Sequence, residues 1–413
     1  MATAVHRYLE LDALRGFAVM GILAINIAAF AQPEMAFINP LVSVHTSMVD
    51  IHSWAANFIL FDGKMRGLFS LLFGASTALV IDRAIATGQS AAKVHFSRMF
   101  WLAIFGLAHF FLIWFGDILF LYAGTGCALY FFRDWSAERL LKWGFLSYVI
   151  ASVFLTIGMA TMIYLQYQAG LPGAAPETLE ELDTIITDLG GTPADIVAQT
   201  QIHLGSFAEI LRDKLDNQWF TPVKNLLLVP FETLPLMMIG MGLYKNGFLL
   251  GQSDPATYRR IGVQATAPGL ALTTVLVGIA YAKNFDMIWM MNISQAWTML
   301  PRLLIIIGYI ALLVMLIQRF AANPLLHRVA AAGRVAFSNY LGTSLAMTFI
   351  FYGWGLGLFE QYGRLELNLF VLSAWGTMLF WSKPWLLRFR YGPLEWLWRS
   401  LARVEPQSMR IRG

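Results

Sequence analysis

Charge is scarce in this chain: of 413 residues only 13% are Asp, Glu, Lys or Arg, about half the share of an ordinary soluble domain. So little polar material cannot cover a water-facing exterior, because 58% of the residues are hydrophobic and the mean hydropathy is +0.60. A soluble globular fold is thereby excluded. Cysteine is nearly absent. The single Cys127 lies in an apolar stretch, which leaves neither a disulfide framework nor a cysteine-based zinc site. A strong charge of one sign is missing too. The net charge is +4, the pI is about 9.1, and the basic residues stand in short clusters between apolar runs, so nucleic acid is not an expected partner. Walker A, HExxH and GxSxG patterns do not occur. No small-residue cleavage site follows the first apolar run, which is therefore expected to be a retained helix and not a signal peptide.

What is present is a series of apolar runs of about 17 to 25 residues, long enough to cross a hydrocarbon core of about 30 Å as helices. They lie near 13–31, 65–82, 97–116, 117–133, 143–167, 222–244, 261–282, 296–318, 335–356 and 367–387. Lys and Arg collect after the second, fourth, sixth and eighth runs, at Arg83, Lys93 and Arg98, then Arg133, Arg139 and Lys142, then Lys245, Arg259 and Arg260, then Arg319, Arg328 and Arg334. The alternate loops are poor in both, and the tail from Arg388 to Arg412 is basic. The expected fold is all-α, a polytopic integral membrane protein with about ten transmembrane helices and both termini cytoplasmic. It forms a single transmembrane domain over 1–413. A segment at 168–221 is expected on the extracytoplasmic side, broken by Pro172, Gly173, Pro176, Gly190, Gly191 and Pro193, with an amphipathic stretch from Ile202 to Leu215 that suits a lid. Within the sixth run Pro230 and Pro235 bracket Glu232, which predicts a broken helix.

Ionisable groups at membrane depth cost a few kcal/mol each, so each needs a partner or a task. Four groups meet that condition. Asp12 and Arg15 in LDALRG share a helix face and can pair, either as a lock between helices or as a substrate site, and Asn26 follows on the same helix. His109 precedes Asp117 by eight residues, with Tyr122 just beyond. Imidazole takes and returns a proton near physiological pH, which suits a general base. Eight residues is too far for a bond along one helix, so pairing requires the chain to fold back near Gly116. Lys64 and Arg66 open the second run, as a substrate site or as snorkelling anchors. Arg334, Asn339 and Tyr340 in GRVAFSNYL, with Arg390, Glu395 and Arg399 in RYGPLEWLWR, place several arginines at one cytoplasmic rim, where guanidinium forks match phosphate oxygens. The positive-inside signal explains the same arginines without a ligand. Gly74, Gly106, Gly124 and Gly126 read as helix-packing positions. His45 and His52, with Asp50 between them, fall short of a metal shell, and no metal is expected.

Five stretches in order along nearly the whole chain, LDALRGFAVMGILAINI, GKMRGLFSLLFGAS, GDILFLYAGTG, GRVAFSNYL and RYGPLEWLWRSL, resemble the YeiB-like family of bacterial inner-membrane proteins. That resemblance implies a bacterial inner-membrane location and a family-specific half at about 222–413. The family is distantly similar to transmembrane acyltransferases, including those acting on surface polysaccharides and the lysosomal heparan-glucosaminide N-acetyltransferase. The wider likeness implies acyl transfer from a cytoplasmic donor to an outer acceptor, with the LDxxRG-type stretch at Asp12, Arg15 and Gly16 as the shared feature. The polysaccharide enzymes carry a histidine near the end of the first span, where this chain has Asn26. The glucosaminide enzyme is similar in having asparagine there, with its essential histidine in the next outer segment. His45 and His52 stand in a comparable segment at a different spacing, and His109 is the preferred substitute.

The expected function is a membrane-embedded acyltransferase in which His109, Asp117 and Asn26 are catalytic and an acyl-CoA is the donor. A glycan or lipid is the expected acceptor, membrane lipids and a second copy of the chain are the expected partners, and no resident cofactor is required. A transporter of a solute or lipid, using the broken sixth span, and a non-catalytic membrane sensor are the rival readings.

Overall fold

A computed structural model describes residues 8–190 and 192–411; of the positions cited above, Gly191 and Arg412 lie outside them. Eighteen α-helices carry the fold: α1 (Leu9–Ala31), α2 (Met48–Leu60), α3 (Lys64–Ala86), α4 (Ala91–Leu112), α5 (Leu119–Leu129), α6 (Ala137–Ala169), α7 (Pro176–Asp188), α8 (Pro193–His203) and α9 (Phe207–Asn217) form the first part. The second comprises α10 (Thr221–Leu228), α11 (Pro230–Lys245), α12 (Pro255–Ala282), α13 (Met287–Met291), α14 (Met299–Arg319), α15 (Pro324–Arg334), α16 (Ala336–Phe351), α17 (Arg364–Arg388) and α18 (Pro393–Arg403). Among the described residues no β-strand forms; Phe389 and Arg410 share an isolated bridge.

Each of the ten apolar runs coincides with a helix or a helix pair. Among the described residues, six helical stretches are long and apolar enough to cross a membrane, namely α1, α2 with α3, α4, α6, α12 and α14. A seventh is the pair α10 and α11, bent by 59°. The break falls at Val229 and Pro230, because proline has no N–H to continue the ladder of α10. The apolar helix at Leu119–Phe132 is shorter than this length. With 16 residues, α16 is about 24 Å long.

Burial separates a centre from a rim. In the most apolar window of α1, 72% of residues are buried, against 11% in α6. So α1 sits among α3, α14, α15, α16 and α17, while α6 presents Val153, Phe154 and Ile157 outward. An apolar helix turned outward needs apolar surroundings, which the hydrocarbon core of a bilayer supplies. The chain is thus a multi-pass, all-helical membrane protein. Where α3 crosses α11, a Cβ on Gly74 would fall 1.9 Å from Met237 O and one on Gly240 1.8 Å from Leu71 O; only glycine permits that approach.

The segment at 168–221 folds as α7, α8 and α9, each started by a proline or a serine cap. Its last helix is tied down by Lys214, whose buried Nζ donates to Phe110 O at 2.9 Å.

Candidate functional site

The chain folds back after α4 as the spacing requires. Helix α4 stops at Leu112, residues 113–118 turn, and Asp117 returns so that His109 Nδ1 lies 2.9 Å from Asp117 Oδ1. Asp117 Oδ2 accepts from Phe120 N at 2.9 Å, which caps the first turn of α5 and fixes the carboxylate. Gly106 makes the return possible, since a Cβ there would stand 2.3 Å from Phe120 N. A carboxylate only accepts, so Nδ1 carries the hydrogen, and in the neutral imidazole Nε2 then holds the lone pair. Both side chains are buried, and Nε2 has no hydrogen-bond partner. Tyr340 and Trp114 flank the ring at centroid distances of 5.2 and 6.3 Å, and the Tyr340 hydroxyl donates to Gly116 O at 3.3 Å.

Tyr340 therefore belongs with the dyad. It also lines a narrow cleft with Asn26, Thr343, Ser344 and Met378, so Tyr340 is the residue common to that cleft and the dyad. Tyr122 is elsewhere: its hydroxyl lies 2.6 Å from Ser70 Oγ and 3.2 Å from Arg66 O on α3. Arg66 pairs with Glu232 at 2.5 Å, and Glu232 also takes Arg302 at 3.1 Å. Lys64 is buried and donates to Phe58 O at 2.6 Å. Of these, Glu232 was legible only as a residue between two prolines. Arg302 was missed, although it lies inside the eighth apolar run, where any charge needs a partner.

At the other end of the helices, Arg15 pairs with Asp12 at 3.0 Å and donates to Ser76 Oγ at 2.8 Å, which locks α1 to α3. Glu395 accepts from the amides of Phe337 and Ser338 and from Ser338 Oγ, so it caps α16 and docks α18. Asn339 is likewise engaged, donating to Ala332 O and accepting from Trp381 Nε1. Arg334 closes α15. Arg98 lies over the Trp398 ring at 4.2 Å and Arg399 over Tyr391 at 4.7 Å. Burial holds the Arg399 guanidinium below its ordinary value, and the charges of Arg403 and Arg83 push the same way. Arg390 lies just before α18, its backbone N–H bonded to Met409 O. Several guanidinium groups are thus close enough to repel one another in this region.

Sequence comparison gives the lineage. The chain is similar to the protein named "Uncharacterized protein YeiB" of Escherichia coli (strain K12), 30% identical over 403 residues that cover 96% of each. The chain belongs to the YeiB-like family. It is 28% identical to "Uncharacterized protein YxaH" of Bacillus subtilis (strain 168), over 94% of this chain and 92% of that one. A 39.9 kDa protein from the amylase 3' region of Bacillus acidopullulyticus is 25% identical over 95% of this chain and 92% of that one. The family described as "Protein of unknown function (DUF418)" matches residues 243–405, a stretch of this YeiB-like chain holding Arg302, Tyr340 and the arginines of α18. No solved structure matches. None of these names carries an activity, so the function of the YeiB-like fold is argued from its geometry.

Proposed function

We propose that the protein is an acyltransferase of the bacterial inner membrane, crossing the bilayer ten times with both termini cytoplasmic. It moves an acyl group from a CoA-type thioester to a hydroxyl or amine acceptor on the outer face or on a lipid. The reading is carried by the His109–Asp117 pair, an imidazole oriented through Nδ1 with a bare, buried Nε2. In the reaction Nε2 takes the acceptor proton as the acceptor oxygen or nitrogen bonds to the acyl carbon. The C–S bond then breaks, and the proton passes to the leaving thiolate. A closed, dry site strengthens such a dyad and excludes hydrolysis by water. Tyr340 and Trp114 must move for a substrate to reach Nε2, and Asn26 in the adjoining cleft positions the acceptor. The arginines of α18 with Arg98 bind the donor phosphates.

Purified protein incubated with radiolabelled acetyl-CoA should release CoA or become labelled, and His109→Ala should abolish this. Full activity in that variant removes His109 from the chemistry. A second reading, a transporter, draws on the 59° break between α10 and α11 with Glu232 at its edge. Discontinuous helices of this kind line substrate paths. Solute counterflow in proteoliposomes without donor turnover would favour it.

A further inference from the structure

Five charged side chains, from α3, α11, α14 and the turn that holds Asp62, meet at the end of α3 remote from Arg83. Glu232 holds both Arg66 and Arg302, and Asp62 stands 3.9 Å from Arg302. Lys64, buried beside them, gives its ammonium to a backbone carbonyl and not to a carboxylate. Around Glu232 two guanidinium groups share one carboxylate, so the open edge at Arg66 is positively charged and attracts an anion.

The accessible cation can be identified. Arg302 is 5% exposed, and its terminal nitrogens are used by Glu232, Ser294 O and Thr298 Oγ1. Its Nε is buried with no partner, lying against the bare Cα of Gly63, where a Cβ would fall 2.0 Å away. Arg66 is 32% exposed and commits one nitrogen to Glu232. Among the described residues nothing else accepts from its guanidinium, and one edge of the fork remains open.

We propose that Arg66, backed by Arg302 and Lys64, binds one carboxylate or phosphate group at this end of the helix bundle. The fork of Arg66 matches the paired oxygens of such a group. Glu232 already occupies one side of both Arg66 and Arg302, so the open edge takes a single anion and not several.

Binding is read without turnover, so the test does not depend on acyl transfer. The thermal unfolding midpoint of the full-length protein in neutral detergent is followed while inorganic phosphate, acetate or micellar phosphatidylglycerol is titrated. At least one should raise the midpoint saturably. A rise with phosphate or acetate identifies a free anion, and a rise with phosphatidylglycerol alone identifies a lipid headgroup. Arg66→Gln should weaken binding about tenfold or more, as expected for loss of charge-assisted bonds, Arg66→Lys should weaken it less, and Asp62→Asn should tighten it. If Arg66→Gln does not fold, the other two variants decide. Absence of a saturable rise with all three probes, or equal binding by wild type, Arg66→Lys and Asp62→Asn, overturns the proposal. Binding without donor turnover keeps this site and removes the acyltransferase reading.

Discussion

The imidazole of His203 lies flat on Phe359, with ring centroids 4.6 Å apart and planes 4° from parallel, and His203 O accepts from Gly353 N at 2.8 Å. This contact ties the end of α8 to the loop after α16. Burial pushes the His203 pKa down to about 4, Gln199 O and Asp213 oppose the shift, and Lys214 adds to it. Folded His203 therefore binds protons less readily than unfolded His203, and stability contributed near neutrality is lost as pH falls from the ordinary value of 6.5 toward 4. Hydrogen exchange of α8 and α9, corrected for intrinsic rates, should accelerate on acidification by up to about tenfold per pH unit in that window. His203→Phe should flatten the dependence. An unchanged slope in that variant would show that His203 is not the latch.

In the proposed reaction Asp117 acts through the tautomer it selects. Asp117→Asn keeps one oxygen for Phe120 N, so the cap of α5 survives. Its amide nitrogen then faces Nδ1, which favours the imidazole with hydrogen on Nε2 and removes the base. Turnover of an acyl donor should fall by about 10²- to 10⁴-fold with little change in unfolding midpoint. An equal loss of midpoint and activity would mean that the pair only holds the turn.

The positions of the helices were readable because hydrocarbon demands long apolar runs, and all ten runs became helices. Asp12 and Arg15 were readable because residues three apart share a face. The His109–Asp117 bond was readable only as a condition on the turn at Gly116, since nothing local fixes where a chain returns. Glu232 with Arg66 and Arg302 was not readable as a pair: the partners lie 166 and 70 residues away, and spacing carries no information at that range. The lone charge of Arg302 beside Pro301 was the available signal. The fate of Glu395 was hidden for a related reason, because a carboxylate that caps a distant helix looks like any surface acid until the two helices are docked.

Glu232 is the acidic centre of a buried cluster, so its removal should be costly. Glu232→Ala leaves Arg66 and Arg302 facing each other without their shared carboxylate, a loss of about 3 to 5 kcal/mol. Adding Arg302→Met removes one of the stranded charges and fills its volume with apolar atoms. The double variant should recover part of the lost unfolding midpoint. If the two changes destabilise additively, the ion pair is not the reason for the first loss.

Orientation can be tested with the chain's own chemistry, because Cys127 is its single cysteine. In a Cys127→Ser background, cysteines placed at Ser43 and Gly88 lie beyond opposite ends of the α2–α3 stretch, before α2 and after α3. Both are outside helices. In the proposed orientation Gly88, beside Arg83 and Lys93, is on the cytoplasmic side and Ser43 is outside. A membrane-impermeant maleimide applied to intact spheroplasts should label Ser43→Cys when that side chain is reachable and spare Gly88→Cys until the membrane is opened. Ser43 is buried while Gly88 is exposed, so Val44→Cys, at a side chain that is 73% exposed, is the better outer probe. Labelling of Val44→Cys and Gly88→Cys from the same side would reverse or dismantle the layout, and the arginines of α18 would then face the wrong compartment for a cytoplasmic thioester.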